Sequence, residues 1–325
     1  MGCPRILTIK IPSRLKRISR ACSIQNKYVR FYFLMEVTKA IIPIAGLATR
    51  FLPVSKVVPK ELLPLVDKPL LQYAVEEAKE SGIQEIVFVV NSNKKSVSDY
   101  FRKSPKLEKL LEERKQEKLL EELIHIEKLL DGLTFSYVLD KPLGDGHAIL
   151  QAKKYIGDEA CAVMFPDDVI LSKTPCVKQL VQIFRTALKP IISLYQIPQE
   201  KLSLYGVVDM EKIARRFSKI KKIVEKPALG SAPSNLVVVG RYIIIPEVFD
   251  YLKKTKPTKR GEIILADAFA DMLQDGKLIY GYEIEGEWME CGDKMRWLRS
   301  NVALSLKHPV FGKEIREFLK EQKLI

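Results

Sequence analysis

The sequence predicts an α/β fold, a mainly parallel central sheet flanked by helices. From Lys39 onward, short apolar runs of strand length alternate with longer segments of helical period. Those runs are apolar at consecutive positions, as in strands covered on both faces. The 325 residues are 47% hydrophobic and 29% charged, a balance that sustains a sizeable core.

Taken in order, residues 1–34 come first and carry eight basic residues and no acidic ones, more than half of the whole-chain surplus of +14. They predict a basic appendage, disordered or spurious, with Met35 standing as an alternative start just before the first strand. They lack the apolar segment and small-residue cleavage site of a secretory signal. Their Arg/Ser-rich, acid-poor make-up also suits an organelle transit peptide or an arm for nucleic-acid phosphates. Residues 35–325 predict one domain. Ala40–Ile44 and Ile86–Val90 read as buried strands. Between them Pro69 opens a helix, Leu71, Val75 and Ala78 fall on one face, and Gly82 closes it. In 105–131, Leu107, Leu110, Leu111, Leu119, Leu120 and Leu123 recur at helical spacing among Glu and Lys. This predicts a helical insertion of one or two amphipathic helices, packed on the sheet or on a second copy. Cys161–Phe165, Pro190–Leu194, Val207–Val208 and Leu236–Ile245 extend the sheet. Residues 293–325 predict two C-terminal helices broken near Lys307-His308-Pro309.

Several function classes are excluded by composition. The five cysteines form no close pair, which argues against a disulfide framework or a zinc site and favours a reducing cytoplasmic compartment. The three histidines stand apart, and no apolar run approaches the ~18 residues of a membrane span.

Three clusters carry chemistry. Directly after the first strand comes Ala45-Gly46-Leu47-Ala48-Thr49-Arg50, followed by Pro59-Lys60-Glu61. A loop at the carboxyl end of a parallel strand is where open α/β sheets bind ligands. Its small residues let backbone N–H groups approach an anion, Arg50 offers a planar fork and Lys60 a point charge. That combination suits a polyphosphate, although a turn with exposed charge has the same pattern. Phe165-Pro166-Asp167-Asp168 places hard carboxylate oxygens, suited to Mg²⁺, at a strand end, where a turn or helix cap would also use Asp. Glu225-Lys226-Pro227 sets a carboxylate beside an ammonium, able to hold sugar hydroxyls and a phosphate; alone it reads equally as a surface ion pair.

In combination these residues are similar to the bacterial-type UTP:glucose-1-phosphate uridylyltransferases, within the sugar-1-phosphate nucleotidyltransferases. The resemblance runs from Lys39–Tyr73 through Leu143-Gly144-Asp145-Gly146-His147-Ala148, Pro166-Asp167-Asp168, Tyr205-Gly206-Val207-Val208-Asp209, Glu225-Lys226-Pro227, Ala232-Pro233-Ser234-Asn235-Leu236 and Gly261-Glu262-Ile263. It implies a Rossmann-like nucleotidyltransferase fold, a Mg²⁺ cofactor, and UTP and glucose 1-phosphate as substrates, giving UDP-glucose and pyrophosphate. It assigns Arg50, Lys60 and Lys226 to catalysis. Ala45, Gly46 and Glu61 fall on the nucleotide side, Gly206 and Glu225 on the sugar side, and Gly144 among the substrate-binding residues. Asp167 and Glu290 fall to the metal. A cytoplasmic homo-oligomer is implied, with no nucleic-acid or membrane partner. Alternatives are a relative using GTP or dTTP with a hexose 1-phosphate, or a non-catalytic sugar-nucleotide-binding paralogue.

Three positions depart from the pattern. Ala48 replaces a usual Gly, which is harmless provided the backbone does not need positive φ. Leu139 replaces a Gln that bonds the uracil edge, leaving Asp140 as an alternative acceptor for a base. Glu290 stands in Glu290-Cys291-Gly292 where an Asp is usual.

Overall fold

The computed structural model describes residues 36–92 and 94–324; the appendage expected at 1–34 lies outside the described residues. The chain enters through β1 (Lys39–Ile44), followed by a loop with three short 3-10 turns and a small hairpin, β2 (Pro64–Leu65) and β3 (Lys68–Pro69). Helix α1 (Leu70–Glu80) ends where Gly82 takes φ 88°, and the N–H of Ile83 bonds the carbonyl of Ala78 (3.1 Å). Glycine supplies that left-handed turn without a Cβ clash. Next come β4 (Glu85–Val90), α2 (Lys95–Tyr100), α3 (Pro105–Glu113), α4 (Glu117–Leu130) and β5 (Thr134–Leu139). The predicted insertion is thus the helix pair α3 and α4. Then follow α5 (Asp145–Gln151), α6 (Lys153–Ile156), β6 (Cys161–Met164), β7 (Asp168–Leu171), α7 (Cys176–Ala187) and β8 (Ile191–Gln196). Strands β9 (Gly206–Lys212), β10 (Phe217–Glu225) and β11 (Leu236–Ile244) lead to α8 (Pro246–Leu252) and α9 (Leu265–Gln274). The chain closes with β12 (Tyr280–Glu283), β13 (Glu287–Glu290), α10 (Lys294–Lys307) and α11 (Gly312–Glu321).

The main sheet has nine strands in the order β5-β4-β1-β6-β11-β8-β12-β10-β9. Its first four strands are mutually parallel, as expected, because each step between them is a long helical crossover. Beyond β6 the pairing is mixed: β11 runs antiparallel to both β6 and β8, β12 is parallel to β8, and β10 is antiparallel to β12 and β9. Short returns such as the loop 213–216 can only join antiparallel neighbours, so the sheet is mixed. A register shift at Ile220/Lys222 bends the β9–β10 hairpin, and Val207 of β9 also pairs with Val237 of β11.

Alternation along β1 divides the core into two layers. Ile42 and Ile44 pack with Phe88, Leu71, Val75 and Phe184 under α1 and α7. Ile41 packs with Val87, Val89, Ile149, Phe249 and Phe269 under α5, α8 and α9. A buried ion pair ties the first layer to the edge that carries the carboxylates. Arg241 is fully enclosed, donates from Nε and Nη2 to Glu77 (3.1 and 2.9 Å to Oε2), and donates from Nη1 to the Phe165 carbonyl (2.6 Å). Removing one partner of such a pair costs about 3–5 kcal/mol, so the turn at Phe165–Asp168 is firmly set.

Candidate active site

Two cavities open side by side, the first at the carboxyl ends of β1 and β6 and the second over β8–β11. The first, about 320 Å³, is lined by Ala45–Thr49, Lys60, Glu61, Pro142, Gly144, Asp145, Pro166, Asp167 and Glu262. The loop after β1 is held by the Asn91 amide, which donates to the Ala45 carbonyl (2.8 Å). Lys60 points its Nζ at Asp167 Oδ2 (2.6 Å). Burial works against both charges, but each is the other's main compensation. Asp167, with Glu61 and Asp168, holds the Lys60 pKa above its ordinary value, and Lys60 holds the Asp167 carboxyl below its own. Gly144 has φ 105°, and a Cβ there would run into the Ile263 backbone carbonyl, so only glycine fits against that strand-like contact. Asp145 Oδ1 accepts the N–H of Leu265 at the start of α9 (2.9 Å), and burial pushes its carboxyl up to about 6.

The second cavity, about 730 Å³, is lined by Arg50, Asp145, Gly206, Glu225, Lys226, Tyr242, Thr258, Lys259, Arg260 and Glu262. Asp145 and Glu262 therefore belong to the wall between the two cavities. Gly206 and Glu225 are register partners on β9 and β10, and a Cβ at 206 would sit 3.0 Å from Glu225 Oε2. The bare glycine leaves the carboxylate facing open space. Lys226 follows at φ 46°, its Nζ 3.6 Å from Glu225 Oε1 and its side chain 59% exposed.

Beside both cavities Gly292 leaves a hollow. A Cβ there would lie 3.5 Å from Asp167 Oδ2, 3.8 Å from Glu290 Oε1 and 4.0 Å from an Arg50 Nη. Two carboxylates thus face one cradle, hard oxygens of the kind Mg²⁺ takes; Lys60 holds Asp167 Oδ2 and Arg296 holds Glu290 Oε1, so an ion bound there would have to displace or share both contacts. Among the described residues no three His, Cys, Asp or Glu side chains converge at metal distance, so substrate phosphates and water must complete any coordination shell, the usual habit of Mg²⁺. Glu290 lines neither cavity. Burial pushes its pKa up, while hydrogen bonds from the Tyr205 hydroxyl and Arg296 pull it down. The neighbouring Asp168 accepts from Trp288 Nε1 (2.7 Å) and the Gly240 N–H (3.1 Å); burial, then the charge of Asp167, raises its carboxyl to about 7.

The structure thus places Ala45, Gly46, Lys60, Glu61, Gly144 and Asp167 on the first cavity and Arg50, Gly206, Glu225 and Lys226 on the second, with Glu290 at the hollow. Glu61, however, is only 1% exposed and its Oε2 is taken by Lys94 Nζ (2.7 Å). The proviso on Ala48 fails: its φ is 51° and ψ 41°, a left-handed conformation. Leu139 is 73% exposed at the end of β5, and Asp140 is committed to His147 Nδ1 (2.9 Å) with a side chain 4% exposed. Neither lines the first cavity, and His147 occupies the carboxylate that the position of Asp140 offered to a base. Asp145, Glu262 and Lys94 were missed as site residues. The first two sit inside the motifs quoted above; Lys94 had no sequence signal beyond a cation after an apolar run.

The profile of the nucleotidyl transferase family matches residues 39–305. A UTP–glucose-1-phosphate uridylyltransferase of Staphylococcus saprophyticus is 40% identical over 287 residues, 88% of this chain and 99% of that protein. The Bacillus subtilis protein of the same name is 40% identical over 88% of this chain and 96% of its own length. Among solved structures, a UTP-bound UGPase from Acinetobacter baumannii superposes with a TM-score of 0.81 at 35% identity, covering 88% of this chain and 99% of that one. A UDP-glucose pyrophosphorylase complexed with UDP-glucose gives 0.75 at 37% identity, covering 84% and 100%.

Proposed function

The chain belongs to the nucleotidyl transferase family, and from that premise we propose that it transfers a uridylyl group from UTP to glucose 1-phosphate, giving UDP-glucose and pyrophosphate. The observation that carries this reading is the pair of adjoining cavities sharing Asp145 and Glu262, with Lys60 on the first and Arg50 and Lys226 on the second. Each cavity offers cations for one phosphate-bearing substrate, and the common wall brings the reacting phosphates together.

Nucleoside triphosphate occupies the first cavity, its phosphates met by the backbone of Ala45–Leu47 and by Lys60. The sugar phosphate occupies the second, its hydroxyls met by Glu225 across the bare Gly206 and its phosphate by Lys226. An oxygen of the sugar phosphate attacks the α-phosphorus in line; the new P–O bond forms as the bridging bond to the β-phosphate breaks, and pyrophosphate leaves. No protein nucleophile is required, so the chain contributes alignment and charge neutralisation. Arg50, which reaches both the Gly292 hollow and the second cavity, offsets charge gathered between the two anions. Nucleotidyltransferases generally use a divalent metal; we assign Asp167 and Glu290 to hold Mg²⁺, which when bound would neutralise phosphate charge. Leu139 and Asp140 do not line the first cavity, and the base is read by the backbone around Pro142–Gly144. A homo-oligomer in the cytoplasm belongs to the same reading. It is supported by an exposed apolar stripe on α10, Met295, Leu298 and Val302, and by the free, buried Cys161, Cys176 and Cys291. No helix among the described residues is long and apolar enough to cross a membrane.

The test is pyrophosphate release by the full chain over a matrix of nucleoside triphosphates and sugar 1-phosphates, with Mg²⁺ and with excess chelator. Turnover with UTP and glucose 1-phosphate that chelator abolishes is expected. Turnover only with GTP or dTTP overturns the uridylyl assignment, and silence across the matrix favours a sugar-nucleotide-binding paralogue.

A further inference from the structure

Along the wall of the first cavity and behind it, four side chains alternate in charge. Lys94 Nζ lies 2.7 Å from Glu61 Oε2, and the next residue, Lys60, places its Nζ 2.6 Å from Asp167 Oδ2. The inner pair is the more enclosed, with side chains 5% and 1% exposed against 22% and 20% for the outer pair. Lys94 stands between β4 and α2 and lines neither cavity, so it does not touch substrate. Burial lowers its pKa and Glu61 offsets part of that, as expected of a cation kept inside by one specific partner.

We propose that Lys94 is a positioning residue for the nucleoside triphosphate: by holding the Glu61 carboxylate it keeps Glu61 from capturing Lys60, which stays aimed at Asp167 and the cavity. A buried carboxylate without a partner must find one or take up a proton. Lys60 is the adjacent cation and already feels the charge of Glu61. Without Lys94, Glu61 would draw Lys60 away from the phosphates and add an uncompensated negative charge to the wall that receives them. The inference rests on the uridylyl-transfer reading, since it takes the first cavity as the triphosphate site.

The test is a double-variant cycle in the full chain, comparing Lys94→Met, Glu61→Gln and the combination. Lys94→Met is expected to lower kcat/KM for UTP by about tenfold or more, mainly through KM for UTP, while KM for glucose 1-phosphate stays within about twofold. Adding Lys94→Met to Glu61→Gln is expected to cost less than roughly threefold further, because a neutral residue 61 leaves Lys94 nothing to restrain. Equal losses in both backgrounds, or a rise in both KM values alike, would show a merely structural lysine and overturn the proposal, as would a Lys94→Met enzyme within twofold of wild type. Should Lys94→Met alone fail to fold, the comparison of the combination with Glu61→Gln still decides: the combination buries no unpaired charge, and in Glu61→Gln the one group left without its partner is Lys94, whose pKa burial already lowers. Absent wild-type turnover would instead count against the reading. Calorimetric binding of inorganic tripolyphosphate then tests Lys94, with weaker binding by Lys94→Met expected and unchanged binding overturning its role.

Discussion

Replacing Lys226 by Ala isolates the sugar-phosphate contact, because the structure gives this side chain almost nothing else to do. Its ion pair with Glu225 is long, at 3.6 Å, and both side chains are more than half exposed, 59% and 63%. Such a pair contributes no more than about 1 kcal/mol. The left-handed backbone at φ 46° disfavours any residue with a Cβ, so Ala adds no strain that Lys did not already carry. The anchoring bond, from the Lys226 N–H to the Tyr205 carbonyl (3.0 Å), is backbone and survives. Stability should therefore change by less than about 1 kcal/mol. Loss of a charge-assisted contact to phosphate costs on the order of 3 kcal/mol in the transition state, more than about 100-fold in kcat/KM. Steady-state pyrophosphate release with varied glucose 1-phosphate, set beside a thermal melt of the same preparation, reads both quantities. A loss under about tenfold with an unchanged melt would refute the assignment of Lys226 to the sugar phosphate.

Ala48→Gly should stabilise the protein by about 0.5–1 kcal/mol. Relief of a left-handed L-residue, roughly 1–2 kcal/mol, exceeds the added freedom of the unfolded glycine. Urea denaturation checks this, and a lower midpoint would contradict the backbone strain. The buried Asp145 carboxyl, raised to about 6, keeps its proton in the native state where the unfolded chain, near 3.9, has lost it. Native molecules then bind more protons than unfolded ones between about pH 4 and pH 6, and stability falls as pH rises through that window. Asp145→Asn keeps an oxygen for the Leu265 N–H and removes the titration. It should therefore gain on wild type at pH 7.5 relative to pH 4.5, by about 2 kcal/mol. Equal differences at both pH values would contradict it.

Strands β1, β4 and β6 were legible because they are apolar at nearly every position and the crossovers between them are helical. Two other strands were harder to read: β12, Tyr280–Glu283, has only one buried residue, Gly281, and so left little apolar signal. β5, at the edge of the parallel strands, fails similarly, with a single buried residue, Val138. Loop motifs such as Gly144 were legible since backbone approach to Ile263 demands glycine there, and Glu225-Lys226 stood out as a paired charge at a strand end. Partnership was not. Nothing in the spacing says that Lys94 would meet Glu61 rather than solvent, that Asp140 would turn to His147, or that position 48 would need the conformation that glycine prefers. Each depends on which chain segment arrives opposite, and local sequence is silent on that.

Strand β11 lies between β6 and β8 and hydrogen-bonds both, yet it is made after both. A nascent chain that has emerged only to about residue 235 presents two long apolar strand borders with no neighbour between them. Unpaired strand borders are templates for pairing with other chains. The vulnerable interval in biosynthesis thus falls in the last third of translation, and a fragment ending before Leu236 is the form most exposed to aggregation. Val238 and Tyr242 of β11 also line the second cavity, so that cavity cannot take its final shape until this late strand has been made.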